Sequence, residues 1–211
     1  MVSRVIYRPF DEDDFDAVAA ILRSIWHTDA PTPGYASLEA CADLAHCLSI
    51  STFSQVALID NEPRGIALAR RGNPAAPISG RWRRAEGAFM GRMRLSEPAA
   101  AERYRKMTRL TGQFDADMLK SCKLPDTDEI TLLAVDKGAR GLGMGSVLFD
   151  AAASYLAACG AERAFLYTDT DCDWEFYERR GLERTASHHV HREQRNLLPR
   201  ELYLYTLDLT D

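Results

Sequence analysis

Ten residues of this 211-residue chain, Lys137 to Ser146, read Lys-Gly-Ala-Arg-Gly-Leu-Gly-Met-Gly-Ser. Gly141, Gly143 and Gly145 let backbone approach a ligand closely, because no Cβ stands in the way. A helical pattern begins at Gly143, so the first amides of that helix point into the same space with the positive end of its dipole. Arg140 adds a fixed positive charge. Together these features suit a phosphate or pyrophosphate. A nucleotide P-loop is disfavoured, since Gly145-Ser146 lacks the lysine that would precede the serine. A dinucleotide fingerprint is disfavoured too, since the third glycine of G-x-G-x-x-G is missing and no such unit opens the chain. Three alternating glycines alone are also compatible with a purely structural turn.

The elements that must position this turn can be read from apolar spacing. Glu129 to Val135, Glu-Ile-Thr-Leu-Leu-Ala-Val, is nearly continuous in apolar character and suits a central strand. Gly143 to Ala158 follows as a helix with Val147, Leu148, Ala151 and Tyr155 along one side. Ala164–Tyr167 reads as a short strand, Asp171–Arg180 as a short helix ended by Gly181, and Leu182–Val190 and Leu202–Leu209 as closing strands. Upstream, Val5–Phe10 reads as a strand. Asp11 to Asp14 caps a helix carrying Phe15, Val18, Leu22 and Ile25 or Trp26. Asp29–Gly34, with two prolines and a glycine, ends that helix, and Ser37 is expected to cap a second one bearing Leu38, Cys41, Leu44 and Leu48. Gln55–Asp60 and Gly65–Arg70 form a hairpin around Asn61-Glu62-Pro63. Gly72–Arg94 shows no clear period and holds Arg81, Arg83, Arg84, Arg92 and Arg94. A helix is expected from Pro98 to Ser121, striped by Tyr104, Met107, Leu110, Phe114 and Met118. The order is mixed α/β.

Arg140-x-x-Gly143-x-Gly145 resembles the acetyl-CoA loop of the GNAT N-acetyltransferase superfamily, whose pattern is Gln/Arg-x-x-Gly-x-Gly/Ala. The wider stretch from Leu132 to Gly145 looks like that superfamily's central strand and pyrophosphate loop. Phe176-Tyr177-Glu178-Arg179-Arg180-Gly181-Leu182 is similar to its second signature, Phe/Leu-Tyr-x-x-x-Gly-Phe. The specific resemblance spans about Glu129 to Glu183. It implies a GNAT-type acyl-CoA N-acyltransferase fold: a mixed, mostly antiparallel central sheet flanked by helices. One domain over 1–211 is expected, with a helical insertion at about 71–124 before the central strand. The implied function is acetyl transfer from acetyl-CoA, as cosubstrate, to a primary amine by direct attack in a ternary complex. The same fold used as a non-catalytic acyl-CoA-binding or sensor module is the alternative.

By this resemblance, the backbone at Leu133 and Val135 holds the pantetheine arm, and amides of Arg140, Gly141, Leu142, Gly143, Met144, Gly145 and Ser146 hold the pyrophosphate. Tyr177 stands near the thioester sulfur, where a phenol can protonate the departing thiolate. Many relatives carry an asparagine that touches pantetheine. Here the region reads Thr170-Asp171-Cys172-Asp173, and Asp171 is the expected substitute. Glu129 is the expected proton acceptor for the amine, because catalytic histone acetyltransferases of the superfamily open the strand Glu-Ile-x-x-x-Ala-Val/Ile with a glutamate. Alternation puts Glu129, Thr131, Leu133 and Val135 on one side of the strand.

The remaining reactive residues carry less. Cys172 would need a positioned histidine to act as a nucleophile, so packing is its ordinary reading. His189 and His191 share a strand face and suit an edge or a pocket wall; no metal site is expected. Trp26, Tyr35 and Trp174 are candidates to line an acceptor site. The arginines from Arg81 to Arg94 are expected to face solvent, with a CoA phosphate or an acidic acceptor as alternatives.

Net charge is −5, from 26 basic and 31 acidic residues, which disfavours nucleic acid as a partner. No apolar run is long enough to span a membrane. Met1 to Arg8 lacks the apolar core of a secretory signal. Five cysteines without a close Cys-x-x-Cys pair argue against a disulfide scaffold and suit a reducing, cytoplasmic setting. The acceptor is expected to be a small-molecule or peptide amine, and a late strand could support a homodimer.

Overall fold

In the computed structural model the described residues are 5–73 and 75–210; the remaining residues of the expected 1–211 domain, including Met1 to Arg4 of the N-terminal segment, lie outside them. The elements are β1 (Val5–Arg8), α1 (Phe15–Trp26), α2 (Pro33–Ile50), β2 (Phe53–Ile59), β3 (Glu62–Arg71), α3 (Ala76–Ser96), α4 (Pro98–Ser121), β4 (Asp128–Val135), α5 (Met144–Ala158), β5 (Arg163–Asp169), α6 (Glu175–Arg179), β6 (Glu183–His189) and β7 (Glu201–Asp208). The strands form one sheet in the order β1-β2-β3-β4-β5-β7-β6. The pair β4–β5 is parallel, and the others are antiparallel.

Period-2 alternation gives the sheet two apolar faces. On one face α5 lays Leu148, Phe149, Ala152 and Leu156 over Ala57, Ala67, Ala69 and Ile130. On the other, α1 and α2 bring Val18, Leu22, Leu44 and Leu48 against Val56, Leu58, Ile66, Leu68, Leu132 and Ala134. Farther along that second face, α4 packs Met118 and Leu119 on Phe165, Leu202 and Leu204. Gly65 of β3 lets α5 settle closely: a Cβ there would lie 2.9 Å from Leu148 Cδ1 and 3.1 Å from the Ala134 carbonyl.

Local sequence misleads in three places. The second helix starts at Pro33, inside the segment expected to be a turn, with Thr32 rather than Ser37 as its cap. Thr32 Oγ1 accepts from the Tyr35 amide at 3.1 Å, and proline fits a first helical turn because its missing N–H needs no partner there. The segment Gly72–Arg94, without a legible period, is largely the helix α3. Its arginines and glycines hide the pattern, and contacts far in sequence hold it: Trp82 and Phe89 both stack on Phe15, at 5.3 and 5.9 Å, and Met93 is fully buried. Residues 171–174 form a turn, so the expected helix Asp171–Arg180 shrinks to the five residues of α6.

A buried ionic group ties the end of α1 to α2 and α4. His27 Nδ1 lies 3.1 Å from Glu39 and its Nε2 2.9 Å from Asp43, while the Tyr104 hydroxyl donates to Asp43. Burial pulls the imidazole pKa down, but the two carboxylates outweigh it and the value is pushed up to about 9.

Two predictions follow from this packing. Gly65→Ala should cost about 1–3 kcal/mol through overpacking against α5. Gly112→Ala, in open space on α4, should instead gain about 0.5–1 kcal/mol. Urea unfolding of both variants measures the contrast, and equal stabilities would refute it. For His27, a folded pKa raised above 6.5 means stability that is complete below that pH and lost as pH rises through about 9. The stability gap between the parent and His27→Gln should therefore narrow from about pH 6 to about pH 10; a constant gap would show that the imidazole charge contributes nothing.

Candidate active site

Parallel β4 and β5 pair at a single position, Glu129 with Phe165, and then diverge. The divergence exposes backbone amides and carbonyls that a continuing ladder would have consumed. It opens into a cavity of about 450 Å³. One wall is Ile130 to Val135 of β4, the other Leu166 to Asp169 of β5. Trp26 of α1 stands at one end, and Arg140, Gly141, Cys172 and Tyr177 also line it.

A bulge decides which β4 side chains face which way. Leu132 pairs with Leu68 and Ile130 with Ala69, so Thr131 is the extra residue and the alternation flips across it. Leu133 and Val135 join Ile130 in packing toward α5. Glu129, opposite Arg70, faces the α1–α2 side with Leu132 and Ala134. The expected shared side of Glu129, Thr131, Leu133 and Val135 is thus corrected. The Thr131 hydroxyl meets Ser51 Oγ at 2.7 Å, toward α2.

The glycine turn closes on α5 as its spacing requires. Gly141 and Gly143 have φ of +80° and +76°, conformations that favour glycine, and Gly143 is the cap of α5. The amides of Ser146 and Val147 donate back to the Gly143 carbonyl at 3.1 and 3.2 Å. Ser146 N–H is therefore already committed within the helix. Helix geometry leaves the amides just before it without an intrahelical acceptor, facing outward at the positive end of the dipole. Gly145 packs against β4, where a Cβ would stand 3.6 Å from Val135 Cγ2.

Of the residues expected from sequence, Leu133, Val135, Arg140, Gly141, Asp171 and Tyr177 line the cavity. Leu142, Gly143, Met144, Gly145, Ser146 and Glu129 are not among its described lining residues. Met144 is buried beneath the turn and Leu142 is exposed. Tyr177 packs among Phe149, Phe176 and Tyr205 with ring centroids 5.3–6.2 Å away. Burial raises its hydroxyl pKa, so it stays protonated and can donate. Glu129 accepts from Arg70 Nη2 at 2.7 Å, and Arg70 also pairs with Asp126. Burial raises the Glu129 pKa and Arg70 opposes that rise. The structure thus brings Glu129 to a cation rather than to the cavity wall.

Cys172 lines the cavity, but burial pushes its thiol up to about 11, so it remains unreactive near neutrality. Trp26 does reach the cavity. Tyr35 is buried between α2 and α3, and Trp174 packs edge-on against Tyr203 and under Arg184. His188 stacks on Phe114, while His189 meets Glu201 and Arg195. Arg81 pairs with Glu12, and Arg83, Arg84 and Arg94 are exposed. Tyr167 and Asp169, both in the cavity wall, escaped the sequence reading. Thr168 to Asp173 reads locally as turn-forming residues, and only the tertiary splay of β5 reveals the wall.

The Acetyltransferase (GNAT) family model matches residues 15–182. No curated protein matches. Among solved structures, a mosquito arylalkylamine N-acetyltransferase like 5b superposes with a TM-score of 0.58 at 14% identity, covering 98% of this chain and 100% of that one. The ribosomal-protein-S18-alanine N-acetyltransferase from Escherichia coli gives 0.56 at 9% identity, covering 99% and 96%. A GNAT family acetyltransferase from Brucella melitensis in complex with acetyl-CoA gives 0.50 at 12% identity, covering 99% and 90%. The sheet order, the splayed parallel pair and the glycine turn share one explanation: this chain belongs to the GNAT acetyltransferase family.

Proposed function

We propose that this protein moves an acetyl group from acetyl-CoA to a primary amine by direct attack within a ternary complex. The observation that carries this reading is the cavity between the diverging strands, which has the glycine turn at one edge and Tyr177 in its wall. A pantetheine amide chain fits such a splay, because the freed backbone groups of Leu133 and Val135 can complete their hydrogen bonding with it. A pyrophosphate fits the outward amides of Gly141 to Gly145 and the charge of Arg140. The acetyl-CoA complex of the Brucella relative supports the same cosubstrate. The names of two structural relatives, a ribosomal-protein-S18-alanine N-acetyltransferase and an arylalkylamine N-acetyltransferase like 5b, support an amine acceptor, either peptide or small molecule.

Acyl transfer to an amine needs proximity, a neutral nitrogen and a stabilised leaving group. The cavity supplies proximity. Trp26 and Ile25 border it on the α1 side and offer an apolar wall to the acceptor. Tyr177 gives its proton to the thiolate. Glu129, held by Arg70 behind β4, contributes negative charge to the acceptor side and reaches a departing proton only through water. Among the described residues no helix is long and apolar enough to cross a membrane.

Acceptor profiling with acetyl-CoA, reading CoA release and product mass together, tests the reading. An acetylated amine with matching CoA is expected; tight CoA binding without product from any amine would favour a binding module instead. Tyr177→Phe keeps the ring and removes the donor. Its turnover at saturating acceptor should fall roughly 10- to 1000-fold, with acetyl-CoA affinity by calorimetry little changed. Turnover within twofold of the parent would exclude the acid role.

A further inference from the structure

Glu129 is engaged by Arg70 and is not among the described lining residues, so the cavity needs another group to receive the acceptor's proton. We infer that Asp169, at the end of β5, is that group: it binds the acceptor ammonium and takes its proton. This rests on the acetyl-transfer reading above.

Position is the first support. Phe165 and Tyr167, four and two residues before Asp169, pack on the α4 side of the sheet with Met118 and Leu119. Asp169 continues that row at the mouth of the splay and lines the cavity together with Trp26, Tyr167, Cys172 and Tyr177. Tyr167 is itself fixed, donating from its hydroxyl to the Asp115 carbonyl of α4 at 3.1 Å. The second support is preorganisation. Asp169 Oδ1 accepts from the Asp171 amide at 2.7 Å, and its carbonyl accepts from the Cys172 amide at 3.2 Å. These bonds hold the carboxyl against the turn that leads to Tyr177. Third, among the described residues no ion pair engages Asp169, in contrast to Glu129.

The titratable groups that act on it are acids, and Arg140 is the cation among the residues lining the same cavity. Asp171, Cys172 and Asp173 come from the turn before α6, Tyr177 from α6, and Asp115 from α4. Burial raises the Asp169 pKa, and the charge of Asp171 adds to the rise, while the Asp171 amide and the Cys172 thiol and amide, donating to the carboxylate, oppose it. A carboxylate raised toward neutrality is a better proton acceptor than an ordinary surface aspartate.

The ammonium gives one proton to Asp169 and becomes the free amine; Asp169 passes that proton to solvent. The nitrogen attacks the thioester carbonyl, the new C–N bond forms and the C–S bond breaks. Tyr177 protonates the sulfur and regains a proton from the nitrogen. The products are an amide, CoA thiol and one released proton.

Asp169 also builds a turn, and the test must separate that role. Asp169→Asn keeps an Oδ1 acceptor for the Asp171 amide while removing the base. With one alkylamine acceptor, kcat/KM of the Asn variant at neutral pH should fall about 100-fold or more. It should recover toward pH 10, where free amine is plentiful, because a lysine-like amine has a pKa of about 10.4. The parent should lose activity as pH falls through the raised Asp169 pKa, and the variant should lack that limb. Acetyl-CoA affinity should be unchanged. In the free protein, the Asp169 carboxyl resonance should titrate above the ordinary aspartate range of about 3.9. Superimposable pH profiles, or a resonance titrating below that range, would overturn the inference while leaving the acetyltransferase reading intact. A parent that acetylates no amine would overturn both.

Discussion

Two strands that run parallel yet meet at one residue pair set the terms for everything else in this molecule. Glu129 and Phe165 pin β4 to β5, and beyond that pin the strands separate. A sheet that opens leaves polar backbone with no protein partner, which is costly unless a ligand or water supplies it. The chain accepts that cost at one place and secures the flanks. β3 pairs with β4 along seven positions and β7 with β5 along seven, so each half of the split is held by its outer neighbour. The helix α5 then covers one face of the junction, with Leu148 and Leu156 fully buried, and α1, α2 and α4 cover the other. The split is thus a rigid feature between two braced halves. Rigidity is what positioning catalysis requires of a substrate slot.

The bulge at Thr131 follows from the same constraint. Without it, Glu129 would share a face with Leu133 and Val135 and point toward α5, into an apolar core. With it, the carboxylate turns toward Arg70 and the α1–α2 side, where Ser51 and Thr131 supply further polar groups. One inserted residue lets a single strand serve two masters: apolar packing under the glycine turn and a charged end on the opposite face.

Local structure was legible where backbone conformation demands a particular residue type. The glycine turn was legible because positive φ at Gly141 and Gly143 demands glycine, and the strand and helix around it are strongly apolar. The acidic cluster Asp11 to Asp14 was legible only in part: Asp11 caps the short 3-10 turn Glu12–Asp14, accepting from the Asp13 amide at 3.1 Å, and Asp14 makes no side-chain cap bond to α1. Failures came where tertiary contacts override local pattern. Helix α3 has glycines at 87 and 91 and a run of arginines, and it persists because Trp82, Phe89 and Met93 find partners on α1 and α2. The bulge leaves no mark in Glu-Ile-Thr-Leu-Leu-Ala-Val, since either parity of that apolar strand could be buried. Asp169 was hidden among the aspartates of a turn, and only the cavity distinguishes it from its neighbours.

On the α4 side of the cavity stand acids that act on one another. Asp115 is pushed up to about 7, first by burial and then by Glu129 and Asp169. Glu129 and Asp169 are raised for the same leading reason. Carboxylates that share a poorly solvated space do not all ionise together. Arg70 offsets part of this charge by holding Glu129 and Asp126, which leaves the excess negative charge on the side nearer α4. A bound ammonium would relieve that excess as Arg70 relieves its own partners. Helix α4 lies outside the glycine turn and the tyrosine signature, yet it brings Asp115 and the clasp on Tyr167 to this face. The segment between β3 and β4 therefore sets the electrostatics on one side of the cavity, while the segment from β4 to α6 forms most of the cavity wall.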